Sequence, residues 1–287
     1  MAASIKQLRP EEYPPLLREI PQMPSLLYIR GTLPPAEHKW LCVVGSRASS
    51  PYGRRMTYKL IAGLASYPVV IASGLALGID QEAHKAALDV GLPTVAVLPS
   101  SVDDASLYPR GNHALAQRIL ARGGALVSEY KAPFRAYPNT FPARNRIMTG
   151  LSDATLVIEA GEKSGTLITA RLALDYNREV LAVPHELEKE SGRGANRLIR
   201  EGATLVRDSN DILRSLGFSP EVDPLQAPLP TDLSAEEAAV MRELAEPLAL
   251  EELIERAGLS AQDANVALSS LIIRGLVNER LGKLERA

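Results

Sequence analysis

The chain is predicted to fold as α/β, with a doubly wound, mostly parallel sheet followed by a small C-terminal winged-helix domain. Three observations carry that prediction. Between Lys39 and Ser215, short apolar runs rich in β-branched residues alternate with stretches long enough for a helix, the order of parallel strands joined by crossover helices. The runs 41–44 and 69–72 break at once into Gly45-Ser46-Arg47 and Ser73-Gly74, small-residue turns of the kind found at the ligand edge of such a sheet. Composition then changes at residues 219–232, where four prolines and no periodicity mark a linker.

Taken in order, residues 1–38 are studded with prolines and leave room for one short helix around 11–19. Tyr13, Leu16, Leu17, Leu26, Leu27 and Tyr28 can pin this segment, read as an arm laid on the main domain, 39–217. Strands are expected at 41–44, 69–72, 94–98, 125–128, 155–158, 180–183 and 204–207. Helices are expected between them near 53–66, 79–90, 113–122, 144–151, 167–176 and 196–201. After the linker, Ser234 followed three residues on by Glu237 has the spacing of a capping box and opens a helix over 234–245. Further helices over 250–257 and 262–273, then Gly275-Leu276-Val277 and Gly282, suggest a helix-turn-helix with a small wing over 233–287.

The 287 residues suffice for one large core and a satellite domain, and 46% hydrophobic with 23% charged residues is an ordinary soluble composition. No apolar run approaches the ~20 residues of a membrane span, and no basic-then-apolar leader opens the chain. Cys42, the one cysteine, lies in a predicted buried strand and has no internal partner, which points to a reducing, cytoplasmic setting. With a net charge of −2, any affinity for nucleic acid must come from local clustering.

Three clusters can carry chemistry. Gly45-Ser46-Arg47 lacks the second and third glycines of a dinucleotide fingerprint. A small residue, a hydroxyl and a guanidinium at a helix start still make an anion site, as does the turn at Gly74. Residues 131–150 contain Lys131, Arg135, Arg144 and Arg146 and no acid. There Arg144, Asn145 and Arg146 suit phosphate and base-edge contacts, while Tyr137 and Phe141 offer faces for stacking unpaired bases; the bland alternative makes Phe141 a core anchor. Lys163, Ser164, Gly165 and Thr166 follow a buried strand and open a helix, but Lys163 precedes the glycine, so the loop is not a Walker A motif and ATP hydrolysis has no support. Together the three turns would form a groove for several successive phosphates.

Other polar residues are weaker signals. Asp80 and His84, four apart on one helix, could ligate a metal, but such a pair more often steadies a helix start. His38, His113 and His185 have no zinc spacing, and no Ser sits in a hydrolase elbow. No catalytic residue, metal or cofactor is therefore expected.

The clusters in order, VVGSR, SGLALGIDQEAHKAAL, YPRGN at 108–112, VSEY, FPARNRIMTGLSD and VIEAGEKSGTLITARLAL, resemble the DNA-processing protein A family (DprA, also called Smf) over about residues 10–215. The resemblance implies a Rossmann-like domain that binds and protects single-stranded DNA and loads the recombinase RecA in natural transformation. It implies a homodimer, and it carries binding roles onto Arg47, Phe141, Arg144, Asn145, Arg146 and Lys163. Asn112, in the YPRGN stretch, joins the expected contacts. The N-terminal helical module of many members is expected to be absent or very short, and the segment after Asp232 is similar to a winged-helix appendage of some members. The chain departs from the family at Val183-Pro184-His185, where VPG is usual, and at Pro99-Ser100-Ser101, where a Gly-rich turn is usual.

The sequence also admits two competing readings. One is a nucleoside-phosphate hydrolase of a related fold, although EKSGTL replaces its PGGxGT run and no catalytic Glu/Arg pair is evident. The other is a double-stranded DNA regulator using 262–273 as recognition helix. Residues 203–216 close the main domain with Leu205, Ile212, Leu213 and Leu216, read as an apolar surplus that forms the dimer interface.

Overall fold

The computed structural model describes residues 4–219, 233–244, 248–274, 276–280 and 282–286, and the chain divides into two compact units, Met1–Ser219 and Pro220–Ala287. The predicted linker, apart from Ser219, lies outside the described residues. The first unit is built on a nine-stranded sheet. Seven of its strands are parallel neighbours: β3 (Lys39–Gly45), β4 (Val69–Ser73), β5 (Thr94–Val97), β6 (Ala125–Ser128), β7 (Ala154–Glu159), β8 (Glu179–Ala182) and β9 (Thr204–Leu205).

The proline-rich arm is more than a strap, which corrects the expectation of one short helix laid on a finished domain. It supplies β1 (Ile5–Leu8), the single turn α1 (Pro15–Arg18) and β2 (Leu27–Gly31), and β1 and β2 extend the sheet antiparallel beyond β6. The spatial order is β1-β2-β6-β5-β4-β3-β7-β8-β9. The chain thus steps outward from β3 through β4, β5 and β6, then returns to β3's other side to lay down β7, β8 and β9. Between β3 and β7 the direction of winding reverses, and ligands of open α/β sheets bind at that point.

Strand alternation divides β3 between two layers. Trp40, Cys42 and Val44 face a core shared with α1, α5 (Thr140–Leu151), α6 (Thr166–Asp175) and α7 (Arg193–Arg200). Leu41 and Val43 face α2 (Pro51–Ala62), α3 (Ile79–Asp89) and α8 (Ser209–Ser215). A third cluster joins α4 (His113–Ala121) to β5 and β6 through Leu115, Ile119 and Leu126. Both faces are therefore covered, as parallel strands require.

Ile212 and Leu213 lie in the second of these cores at 0% and 1% exposure, and Leu216 is buried with them, while Leu205 is exposed. The expected apolar surplus at the end of the unit is thus largely the unit's own core, because α8 folds back against α2 instead of facing out. Cys42 is fully buried, and burial pushes its thiol up to about 12, so it is an inert packing residue.

The second unit holds α9 (Ala235–Glu243), α10 (Leu250–Ala257), α11 (Ala261–Ile273) and an antiparallel hairpin of β10 (Val277–Arg280) and β11 (Lys283–Arg286). Ser234 caps α9 by accepting from the Glu237 amide, and Glu237 accepts in return from the Ser234 amide. Val240, Leu253, Leu268, Leu271, Val277 and Leu284 form a separate small core.

If Ile212 is a core residue, Ile212→Ala should lower unfolding free energy in urea by ~2–5 kcal/mol. A loss below about 1 kcal/mol, with a shift in oligomeric state instead, would return Ile212 to an interface.

Candidate functional site

The loops after β3 and β7 and the start of α5 converge where the winding reverses, around a cleft of about 470 Å³. Helix α5 begins at Thr140, four residues before the expected start, because the Thr140 hydroxyl donates to Tyr137 O and accepts from Tyr137 N. The earlier start decides which side chains meet. Phe141, Arg144, Asn145 and Met148 fall at i, i+3, i+4 and i+7 on one stripe, and all four line the cleft. Gly45, Ser46, Arg47, Ser164, Gly165 and Thr166 complete the wall from the two facing loops.

Arg146 lies off that stripe. Its guanidinium donates to both carboxylate oxygens of Glu129 at 2.5 and 2.6 Å and to the carbonyl of Gln22 in the arm. The expected run of three phosphate-binding residues is therefore split by helical periodicity: Arg144 and Asn145 face the cleft, and Arg146 clamps the arm. Arg178 clamps the same arm through Leu16 O and Glu19.

Arg144 is the buried floor of the cleft. Its Nη1 donates to Val97 O at 2.9 Å, its Nε has no partner, and it is 5% exposed. Gly74 is the surface it rests on; a Cβ there would overlap the guanidinium. Burial pulls the Arg144 pKa down and pushes that of buried Asp80 up, and each charge opposes the other's shift. Asp80 also accepts from the Gly74 amide at 3.1 Å.

Arg47 is exposed, with its Cζ 4.9 Å from the centroid of the Phe141 ring, a cation–π arrangement. Phe141 is half-buried, meets Tyr108 edge-on at 5.7 Å, and belongs to none of the core clusters. The Ser46 turn is braced from below: the Ser46 amide donates to Glu159 O and the Ser50 amide to Glu159 Oε2. At α6, the Ser164 hydroxyl accepts from the Thr166 amide, and Lys163 is exposed next to it in the chain, outside the cleft lining.

Other expected contacts lie elsewhere. Asn112 is buried, and its amide donates to Leu75 O and Ala76 O, so it holds the β4–α3 loop. Lys131 is exposed on the β6–α5 loop, outside the cleft lining. Gly74 lines a smaller hollow on the other side of Phe141, together with Leu77, Pro99 and Tyr108, which the sequence reading did not name as site residues. The two departures from the family pattern are structural. Ser101 exchanges hydrogen bonds with Phe134 and so clips the β6–α5 loop, and His185 Nε2 donates to Ile158 O while Tyr52 packs edge-on against its ring.

His84 and Asp80 do not pair. The Thr94 hydroxyl donates to Ile71 O, so His84 Nδ1 carries the proton and donates to Thr94 Oγ1 at 2.7 Å. Burial, then the nearby Arg144 charge, pull the imidazole down to about 3.

A profile of the family described as DNA recombination-mediator protein A matches residues 5–217. Protein Smf of Escherichia coli (strain K12) is 43% identical over 208 residues, covering 72% of this chain and 55% of that protein, so the match spans about half of that relative's length. The DNA processing protein DprA of Streptococcus pneumoniae is 40% identical over 206 residues, 72% of each chain. The X-ray structure of DprA from S. pneumoniae superposes with a TM-score of 0.70 at 37% identity over 76% of each chain. A structure of DNA processing protein A from Helicobacter pylori, described for its single-stranded DNA binding mode, gives 0.65 at 30% identity over 75% of this chain and 98% of that one.

His84's folded pKa lies below its unfolded value of about 6.5, so its contribution to stability is present above that pH and lost as pH falls from there toward 3. The His84 ring resonances should stay those of a neutral imidazole as pH is lowered from about 7 to about 5; a midpoint near 6.5 would contradict the burial argument.

Proposed function

The chain belongs to the DNA recombination-mediator protein A family, and from that membership we propose that it binds single-stranded DNA in the cleft between the β3, β7 and α5 loops. The observation that carries the proposal is the stack of Arg47 on Phe141 above a buried Arg144. It joins an exposed cation, an aromatic ring and a second guanidinium at the topological switch point. Phosphate oxygens suit Arg47, Arg144, Lys163 and the hydroxyls of Ser46, Ser164 and Thr166, and Asn145 is the amide placed for a sugar or base edge. Among the described residues Arg47 and Lys163 are in no ion pair, whereas Arg146 is neutralised by Glu129.

The same reading takes the protein as a mediator that protects single strands and loads a RecA recombinase in transformation, acting as a cytoplasmic homodimer. Exposed Leu205 on edge strand β9 is the previously named residue open to such an interface. Binding is favoured over catalysis because Asp80, which carries the one carboxylate among the cleft-lining residues, is buried and accepts from Gly74 instead of facing a nucleophile. Among the described residues no helix is long and apolar enough to cross a membrane. The α10–α11 unit has the element order of a winged helix, but α11 turns Gln262, Asn265, Val266, Ser269 and Ile272 outward. Its one charge before the C-cap is Asp263, so a double-strand-reading role has little electrostatic support.

Arg47→Ala and Lys163→Ala should each weaken binding of oligo(dT) and reduce the magnitude of the log–log salt slope by roughly 0.7 per lost phosphate contact. Arg146→Ala should instead lower the melting temperature through the arm. Unchanged slopes in folded Arg47 and Lys163 variants would contradict the cleft, and retention of double-stranded but not single-stranded oligonucleotides would contradict the substrate class.

A further inference from the structure

The smaller hollow beside the cleft deepens this reading. We propose that Tyr108 and Leu77 form a shelf on which an unpaired base stacks, next to the phosphate held in the cleft. The inference rests on the single-strand reading above. Phe141 is already engaged: Arg47 lies over its ring at 4.9 Å and Tyr108 meets it at 73° between planes. Its capacity to stack on a base is thus limited by its own neighbours. Tyr108 and Leu77 are 43% and 50% exposed, large apolar side chains left in water on the far side of Phe141.

Their exposure is imposed by the backbone. Leu75 is buried but adopts a left-handed conformation at φ 55°, and Gly78 turns again at φ 81°, so the chain between them bulges outward with Leu77 at its tip. The Asn112 side chain ties this bulge to the turn that carries Tyr108, through bonds of 2.8 and 3.3 Å to Leu75 O and Ala76 O. Two loops from different strands are thus braced to each other with their apolar tips outward. The shelf's inner wall is Pro99 and Phe141, and it shares Arg47 and Arg144 with the cleft. Its free volume, about 40 Å³, is room for a few waters at most, so a base would lie across it and not inside it. An exposed, largely apolar surface contiguous with a phosphate site is the arrangement that holds an unpaired nucleotide without reading its sequence.

The test uses the full chain with oligo(dT) and an abasic oligonucleotide of equal length. Tyr108→Ala should weaken oligo(dT) binding about 5- to 150-fold, the range of one base–aromatic stack, with the salt slope and abasic binding unchanged. Tyr108→Phe should bind as the parent does. Leu77→Ala, an exposed truncation that leaves Tyr108 in place, should give a smaller loss with the same pattern, and it carries the test if Tyr108→Ala melts early. Equal oligo(dT) affinity in the parent and the Ala variants overturns the shelf while leaving the cleft, and so does an equal loss on the abasic strand. A parent that retains no single strand overturns the cleft and the shelf together.

Discussion

The buried guanidinium of Arg144 is the interaction on which the site depends. A cation taken out of water is costly unless its partners repay the lost hydration, and here the repayment is partial: one hydrogen bond to Val97 O, the nearby charge of Asp80, and an Nε left without a partner. The same side chain lines the cleft, so this partly satisfied cation lies at its wall. It also fixes neighbouring sequence. Gly74 must be glycine for the guanidinium to lie on the β4 turn, and that turn's amide must donate to Asp80.

Winding order explains why the contact is possible. The connection from β6 to β7 must cross back over β5, β4 and β3, and α5 is the helix that does so. Its first turns therefore pass above the carboxyl ends of strands laid down far earlier in sequence. The arm then holds α5 from behind, through Arg146 to Gln22 and Glu129 and through Leu17 and Ile20, which press on Gly150. The segment that looked least structured in sequence thus supports the helix that bears the cleft's basic and aromatic residues.

Much of this was legible in sequence. Every strand of the parallel sheet was found, because buried parallel strands are continuous apolar runs bounded by turn residues. The three loops were singled out by their small and basic residues, and Gly45, Ser46, Arg47, Phe141, Arg144, Asn145, Ser164, Gly165 and Thr166 do meet around one cleft. What was missed has identifiable causes. β1 and β2 are short antiparallel strands set among prolines at one end of the sheet, with too little alternation to register. Arg146 and Asn112 have the residue types of a binding site, but their partners lie far off in the chain, and only the fold brings Gln22 to one and Leu75 to the other. Ile212 and Leu213 were misassigned because hydrophobicity alone does not distinguish a core from an interface.

In the proposed binding mode one strand of nucleic acid engages the β3, β7 and α5 loops together. Amide hydrogen exchange of the full chain with and without saturating oligo(dT) tests it most directly. Exchange should slow at 45–50, 140–146 and 160–166 in concert, with the 250–274 helices unchanged. Slowing confined to 250–274, with the three loops exchanging as in the free protein, would contradict it.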